Sequence, residues 1–272
     1  MRLPSFLHLT RLFFKGMCLV LLSYRSHPRY PLVLAANRDE FYARPTAAAG
    51  FRQDAPGVLA GRDLEAGGTW LGFTRTGRIA LVTNYRDPAI QKTNAPSRGA
   101  LTLDFLTGQE TPEQYLKALK ERAEAYNGFN LIVGDRSGLW HFSNREGIIR
   151  ELSPGVYGLS NHLLDTPWPK VERGKAALRK LLDEEDIQSE SLLEFLSDRT
   201  TAPDDLLPDT GVGIEMERVL SAPFVAIPGY GTRCSTAILV NNDGQVEFTE
   251  RTHVPDSFPI TRTYTFYLDD TI

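Results

Sequence analysis

The chain has 272 residues, 42% apolar and 24% charged, with thirty bases against thirty-four acids and a net charge of −4. That ordinary globular mixture is long enough to bury a core without crosslinks, and it excludes a disordered, collagen-like or disulfide-framework protein. No long basic run marks a nucleic-acid partner, and no apolar stretch reaches the ~18 residues of a transmembrane segment.

Residues 1–16 carry Arg2, Arg11 and Lys15 and no acid. Their apolar residues are broken by Pro4, His8, Thr10 and Arg11, so they do not read as a secretory signal. They stand outside the fold, either as a mis-called start upstream of Met17 or as an organelle-targeting segment. The fold is expected to occupy residues 17–272 as a single domain.

Cys18 to Ser23 reads as a buried strand and Tyr30 to Ala36 as a second. Arg44-Pro45 opens an irregular stretch. Thr69 to Thr74 and Ile79 to Asn84 form a hairpin around Thr76-Gly77. Ser97 caps a helix to about Thr107. Thr111-Pro112-Glu113-Gln114 starts another, with a capping box and Pro in the first turn, running to Tyr126. Phe129 to Val133, Leu139 to Phe142, Ile148 to Leu152 and Val156 to Leu159 are short strands. Pro169 to Leu182 and Leu192 to Leu196 are helical, and Thr200 to Gly213 is a surface loop. Ser235 to Val240 and Val246 to Arg251 form a last hairpin around Asn241 to Gly244. Helices gathered between groups of strands predict an α+β fold with mostly antiparallel sheets.

No metal-ligand pattern, P-loop, dinucleotide fingerprint or nucleophile elbow is present. The two cysteines, Cys18 and Cys234, point to a reducing compartment and hence to the cytoplasm, or to an organelle if residues 1–16 are a targeting segment. Cys18 follows Met17, and removal of a methionine ahead of a small residue would leave Cys18 as the N-terminus. Its α-amine would titrate near ~7.7–8.0 and its thiol near ~8.5, so one residue would supply both base and nucleophile. The competing reading is an inert cysteine in an apolar strand.

Polar residues at the ends of apolar runs favour the first reading. They are Asn37-Arg38-Asp39-Glu40, Asn84, Asn161 and Arg233. In an extended strand neighbours face opposite ways, so Asn37 and Asp39 would share the site's face and Arg38 would point elsewhere. Cys234 would face away from the site if Arg233 faces it.

Met17-Cys18, Asn37-Arg38-Asp39-Glu40, Leu59-Ala60-Gly61-Arg62-Asp63 and Gly67-Gly68-Thr69-Trp70-Leu71-Gly72 carry a resemblance to the NRDE family, also called the transport and Golgi organisation protein 2 family. Ser97-Arg98-Gly99, Tyr126-Asn127-Gly128-Phe129-Asn130, Tyr157-Gly158-Leu159-Ser160-Asn161, Thr166-Pro167-Trp168-Pro169-Lys170 and Tyr230-Gly231-Thr232-Arg233 extend it from Met17 to about Arg251. That family in turn resembles the N-terminal nucleophile hydrolases of the choloylglycine hydrolase and penicillin V acylase type.

The resemblance implies a four-layer αββα sandwich of two stacked antiparallel sheets. It implies a metal-independent amidohydrolase acting on a linear C–N bond, with no required cofactor. Cys18 would be the nucleophile and its freed amine the base, Asn84 the oxyanion donor, Asn161 a neighbour of the amine, Arg233 the cation beside the thiol, and Asp39, rather than Arg38, a residue in contact with the site. Asn37, Arg38, Arg62 and Trp70 are the candidate substrate-binding residues. Glu40, Arg62 and Asp63 either build a family-specific pocket or pair as ions that hold loops. Trp70 and Trp168 either wall a cleft or pack in the core. The other reading the resemblance allows is a non-enzymatic haem or lipid/acyl-CoA trafficking protein on the same fold. The expected partner is therefore a small-molecule amide, haem or an acyl lipid.

Overall fold

The computed structural model describes residues 16–255 and 257–269. The expectation for residues 1–16 thus lies, Gly16 apart, outside the described residues. Two seven-stranded antiparallel sheets face each other. The first joins β1 (Met17–Tyr24), β2 (Leu32–Phe41), β10 (Gly155–Leu159), β12 (Tyr230–Val240), β13 (Gln245–Thr252) and β14 (Ile260–Tyr267) in the order β10-β1-β2-β12-β13-β14, and short β11 (Ala226–Ile227) pairs with β12. The second is a meander in chain order: β3 (Thr46–Phe51), β4 (Val58–Asp63), β5 (Leu71–Thr74), β6 (Ile79–Asn84), β7 (Phe129–Gly134), β8 (Leu139–Ser143) and β9 (Ile149–Glu151).

Three apolar layers hold these sheets. Val20, Leu22, Leu34, Ile238 and Phe248 of the first sheet meet Leu59, Phe73, Leu81 and Ile132 of the second. On the outer face of the first sheet, Leu19, Leu21, Val33 and Ala237 pack against α3 (Pro169–Leu181) and α4 (Ser189–Leu196) through Val171, Leu178, Leu192 and Leu193. On the outer face of the second, Ala80, Leu131 and Val133 pack against α1 (Gly99–Thr107) and α2 (Pro112–Lys120) through Leu101, Phe105, Leu116 and Leu119. Strands covered on both faces read as unbroken apolar runs, which is why β1 and β2 were legible. The expected α+β architecture of two stacked antiparallel sheets is therefore met.

Several boundaries differ from the reading of the sequence. The second strand does not stop at Ala36 but runs through Asn37 to Glu40 and ends at Phe41. The stretch after Arg44-Pro45 is not irregular: Thr46–Phe51 and Val58–Asp63 are strands. The first helix begins at Gly99, and its N-cap is Arg98 rather than Ser97, with no side-chain cap. The Thr111–Gln114 capping box forms on both sides, but its helix stops at Lys120. A fifth helix, α5 (Ile214–Leu220), follows the Pro- and Asp-rich loop and was not foreseen.

His141, paired with Ile132, is fully buried between the sheets. Its Nδ1 has no partner among the described residues. Burial, then the Arg150 charge, push its pKa down to about 4, against Glu146 and Asp165. An unfolded histidine titrates near ~6.5, so the unfolded chain takes up this proton first as the pH falls. The contribution is complete above about pH 6.5 and is lost, by at most ~3 kcal/mol, as the pH falls to about 4. Asp39 acts in the opposite sense, because burial raises its carboxyl to about 6. The difference between parent and His141→Gln in urea melts across this range isolates the histidine. Parallel pH curves for the two proteins would assign the acid sensitivity elsewhere.

Candidate active site

The alternation that builds the core also sets the site. Cys18 continues the series Leu22, Val20 and so faces the space between the sheets. Arg38 continues Leu34, Ala36 on that same face and is the cross-strand partner of Cys18. Asn37 and Asp39 continue Val33, Ala35 toward the helices. This reverses the expectation that Asn37 and Asp39 would share the thiol's face and that Arg38 would point away.

Thr232 pairs with Asp39 and Cys234 with Arg38, so Arg233 is the extra residue of a bulge in β12. Such a bulge re-aims a side chain. Arg233 donates to the carbonyls of Phe41 (2.9 Å), Tyr42 (3.1 Å) and Arg44 (3.0 Å). It fastens the turn after β2 and does not line the cavity that holds Cys18. Cys234 correspondingly faces the thiol's side of the sheet, with Arg38 between the two cysteines.

A cavity of about 540 Å³ opens at this end of the two sheets. Cys18, Arg38 and Glu40 line it from the first sheet, Trp70 and Asn84 from the second, and Arg98 from the start of α1. The Cys18 N–H donates to Asn161 Oδ1 at 3.3 Å, and Asn161 Nδ2 donates to the Asn84 carbonyl at 3.0 Å. One side chain thus ties the nucleophile candidate to the strand end that carries the oxyanion candidate. Asn84 Nδ2 donates to the Gly16 carbonyl at 2.6 Å, so this amide already holds a carbonyl oxygen inside the cavity.

Arg38 is buried, with its guanidinium 4.3 Å from the Trp70 ring centre and donating to Thr46 Oγ1 at 3.2 Å. Gly61 lets the tryptophan lie there, since a Cβ at that position would stand 2.1 Å from the ring. Gly68 packs on Gly99, where a Cβ would meet backbone at 2.4 Å, and so fixes the start of α1 beside the cavity. Arg44 bridges Asp63 at 2.6 Å and Glu65 at 3.0 Å, and its guanidinium stands 3.8 Å from Glu40. Burial pushes the Arg98 guanidinium down to about 10, against the fields of Cys18 and Glu40.

The thiol of Cys18 is pushed up to about 12, first by burial and then by the Asp39 charge, against Arg38, the Asp39 backbone N–H and Lys170. With Met17 attached it is therefore protonated at neutral pH. Asp39 Oδ1 accepts from Thr232 Oγ1 at 2.7 Å, while Oδ2 has no partner among the described residues.

A model of the family described as "Transport and Golgi organisation 2" matches residues 17–255. The chain belongs to that family. The human transport and Golgi organization protein 2 homolog is 39% identical over 278 residues, covering 93% of this chain and 99% of that protein. The Drosophila melanogaster transport and Golgi organization protein 2 is 30% identical over 268 residues, covering 87% and 92%. Among solved structures, a Caenorhabditis elegans N-acylethanolamine-hydrolyzing acid amidase ortholog is 13% identical with a TM-score of 0.48, covering 82% of this chain and 92% of that one. A conjugated bile acid hydrolase from Clostridium perfringens is 12% identical with a TM-score of 0.33, covering 95% and 90%.

For this member of the family, Cys18, Arg38, Asn84 and Trp70 are brought together around the cavity, with Asn161 bonded to the Cys18 amide and Asp39 at the cavity's edge. Two further candidates stand apart. Asn37 donates to the carbonyls of Leu196 and Pro223, each at 2.8 Å, and accepts from Ser235 Oγ at 2.6 Å, so it locks β2 to the helix layer. Arg62 is exposed and pairs with Asp54 at 3.3 Å. Arg98 and Lys170 were missed as individuals. Both lie in blocks quoted for the family likeness, Ser97-Arg98-Gly99 and Thr166 to Lys170, and that was their only signal. Among the described residues no group of three or more His, Cys, Asp or Glu is placed to hold a metal, and no helix is long and apolar enough to cross a membrane.

Proposed function

We propose that this chain is a metal-independent amidohydrolase of the N-terminal nucleophile type, active once Cys18 is the first residue. The observation that carries this reading is the Asn84 amide holding a carbonyl oxygen in the cavity that Cys18 lines. Helix layers on the outer faces of two stacked antiparallel sheets agree with it.

Removing Met17 turns the Cys18 amide into an amine whose nearest acceptor is Asn161 Oδ1. The amine takes the thiol proton, and the sulfur attacks the substrate carbonyl carbon. Asn84 Nδ2 stabilises the oxyanion in the place where it now holds the Gly16 carbonyl. The C–N bond breaks as the ammonium returns a proton to the leaving nitrogen. Water, deprotonated by the amine, then releases the acid from the thioester. Arg38, stacked on Trp70 beside the thiol, supplies positive charge that favours thiolate.

Among the described residues that line the cavity there is no histidine, and Cys18 is the one the haem-binding alternative would place on iron there.

The test is to incubate protein matured to Cys18 with a panel of N-acyl amides and to quench early. An acyl mass on the Cys18 peptide, absent from Cys18→Ala, is expected. Acyl labelling that persists in Cys18→Ala, or no labelling and no amine release from any member, overturns the proposal.

A further inference from the structure

Thr166-Pro167-Trp168-Pro169-Lys170 leads into α3, and nothing above gives it a role. Lys170 is 1% exposed, and its Nζ has no hydrogen-bond partner among the described residues. It also lies in the first turn of its helix, where the macrodipole disfavours a cation. A lysine at such a place needs compensation from outside its own helix. The second unpartnered atom is Asp39 Oδ2, on the helix-facing side of β2. Asp39 is the cross-strand partner of Met17, so its side chain borders the peptide whose cleavage frees the Cys18 amine.

We infer that Lys170 is a positioning residue for the Cys18 nucleophile, a buried cation on the helix side of β2 whose charge, acting without a direct ion pair, favours the Asp39 carboxylate as the second acceptor for the freed α-amine. The inference rests on the hydrolase reading above. One sign of charge serves three ends. It attracts the Asp39 carboxylate, it favours thiolate over thiol, and it discourages the amine from keeping a proton. The charged groups around Lys170 are Asp39 from β2, Cys18 from β1, Arg86 after β6 and Glu217 from α5. The charges that act most on the thiol are Asp39, from the other face of β2, and then Arg38 on its own face, and Arg98 and Cys234 also feel it. Burial lowers Lys170 itself to about 8, chiefly against the pull of Asp39. The cation is therefore present at pH 7 and is lost as the pH rises beyond about 8.

The experiment follows the rate of Cys18 alkylation by iodoacetamide against pH, by intact mass, in protein matured to Cys18. Lys170→Met should move the profile upward by roughly one pH unit, about threefold slower at pH 7 once the greater nucleophilicity of the more basic thiolate is counted. Lys170→Arg should stay near the parent. Asp39→Asn should move the profile downward, because it removes a negative charge. A merely structural role would send both neutral variants toward the ~8.5 of a solvated thiol. Lys170→Gln replaces Lys170→Met if the latter is not recovered folded, as judged by its melting temperature. A Lys170 variant profile that superimposes on the parent overturns the inference. Alkylation needs no amide substrate. A shifted profile without turnover on any amide would leave the inference standing and remove the hydrolase reading.

Discussion

Protein that begins at Cys18 is expected to react with iodoacetamide at neutral pH about 100-fold faster than the chain that still carries residues 1–17. With Met17 attached the thiol sits near 12, held there by burial and by Asp39. At pH 7 its thiolate fraction is then roughly 10⁻⁵, against a few per cent for a thiol near ~8.5. The more basic thiolate is the better nucleophile, which returns part of that difference and leaves about two orders of magnitude. The value near ~8.5 is expected because removing residues 1–17 takes the Gly16 carbonyl out of the cavity, admits water to the thiol and places an ammonium beside the sulfur. The measurement is an intact-mass time course on the two proteins. Cys234 supplies the background, since it is 4% exposed and burial raises it well above the usual thiol range. Equal rates for the two proteins would mean that the leader does not govern the nucleophile.

The second large effect is on stability. Arg86 Nη1 donates to Glu217 Oε2 at 2.7 Å, with both side chains at most 4% exposed. Glu217 Oε1 also accepts the backbone N–H of Thr210 at 2.9 Å and its hydroxyl, so one carboxylate ties the loop after the short 3₁₀ turn Asp204–Leu206 to α5. Glu217→Ala leaves the buried guanidinium without this carboxylate. The expected loss is about 3–5 kcal/mol. At roughly 2–4 °C per kcal/mol for a chain of this size, the melting temperature should fall by about 10 °C. Replacing both residues by leucine should recover much of the loss, because the double change removes the buried charge as well as the pair. A single variant that melts within about 2 °C of the parent would show that water reaches Arg86 once the carboxylate has gone.

The sequence disclosed the architecture better than it disclosed which way the site faces. The runs at Cys18–Ser23 and Ile79–Asn84 are apolar because they are covered on both sides, and such strands are easy to find. The same covering erases the alternation of polar and apolar residues that would say which side is which. Nothing in Val33-Leu34-Ala35-Ala36 separates the helix side from the sheet side, so the parity of Asn37, Arg38 and Asp39 was read the wrong way round. Arg233 was misplaced because the bulge between Thr232 and Cys234 leaves no mark in composition. Thr46–Phe51 was passed over because alanines follow a proline there, a poor strand signal for residues that are strand only through pairing with β4. Asn84 and Asn161 were legible because each ends an apolar run at the same end of the sandwich.

The two sheets are wired differently along the chain. The second is a meander whose strands pair with their immediate successors, all within residues 46–151. In the first, Cys18 bonds to Asn161 across 143 positions and Asp39 to Thr232 across 193. During synthesis the meander can close early, whereas β2 waits for Tyr230–Val240 before its second edge is paired. The strand that bears Arg38 and Asp39 is thus flanked on both sides only near the end of translation, after the meander that carries Asn84 has had time to close.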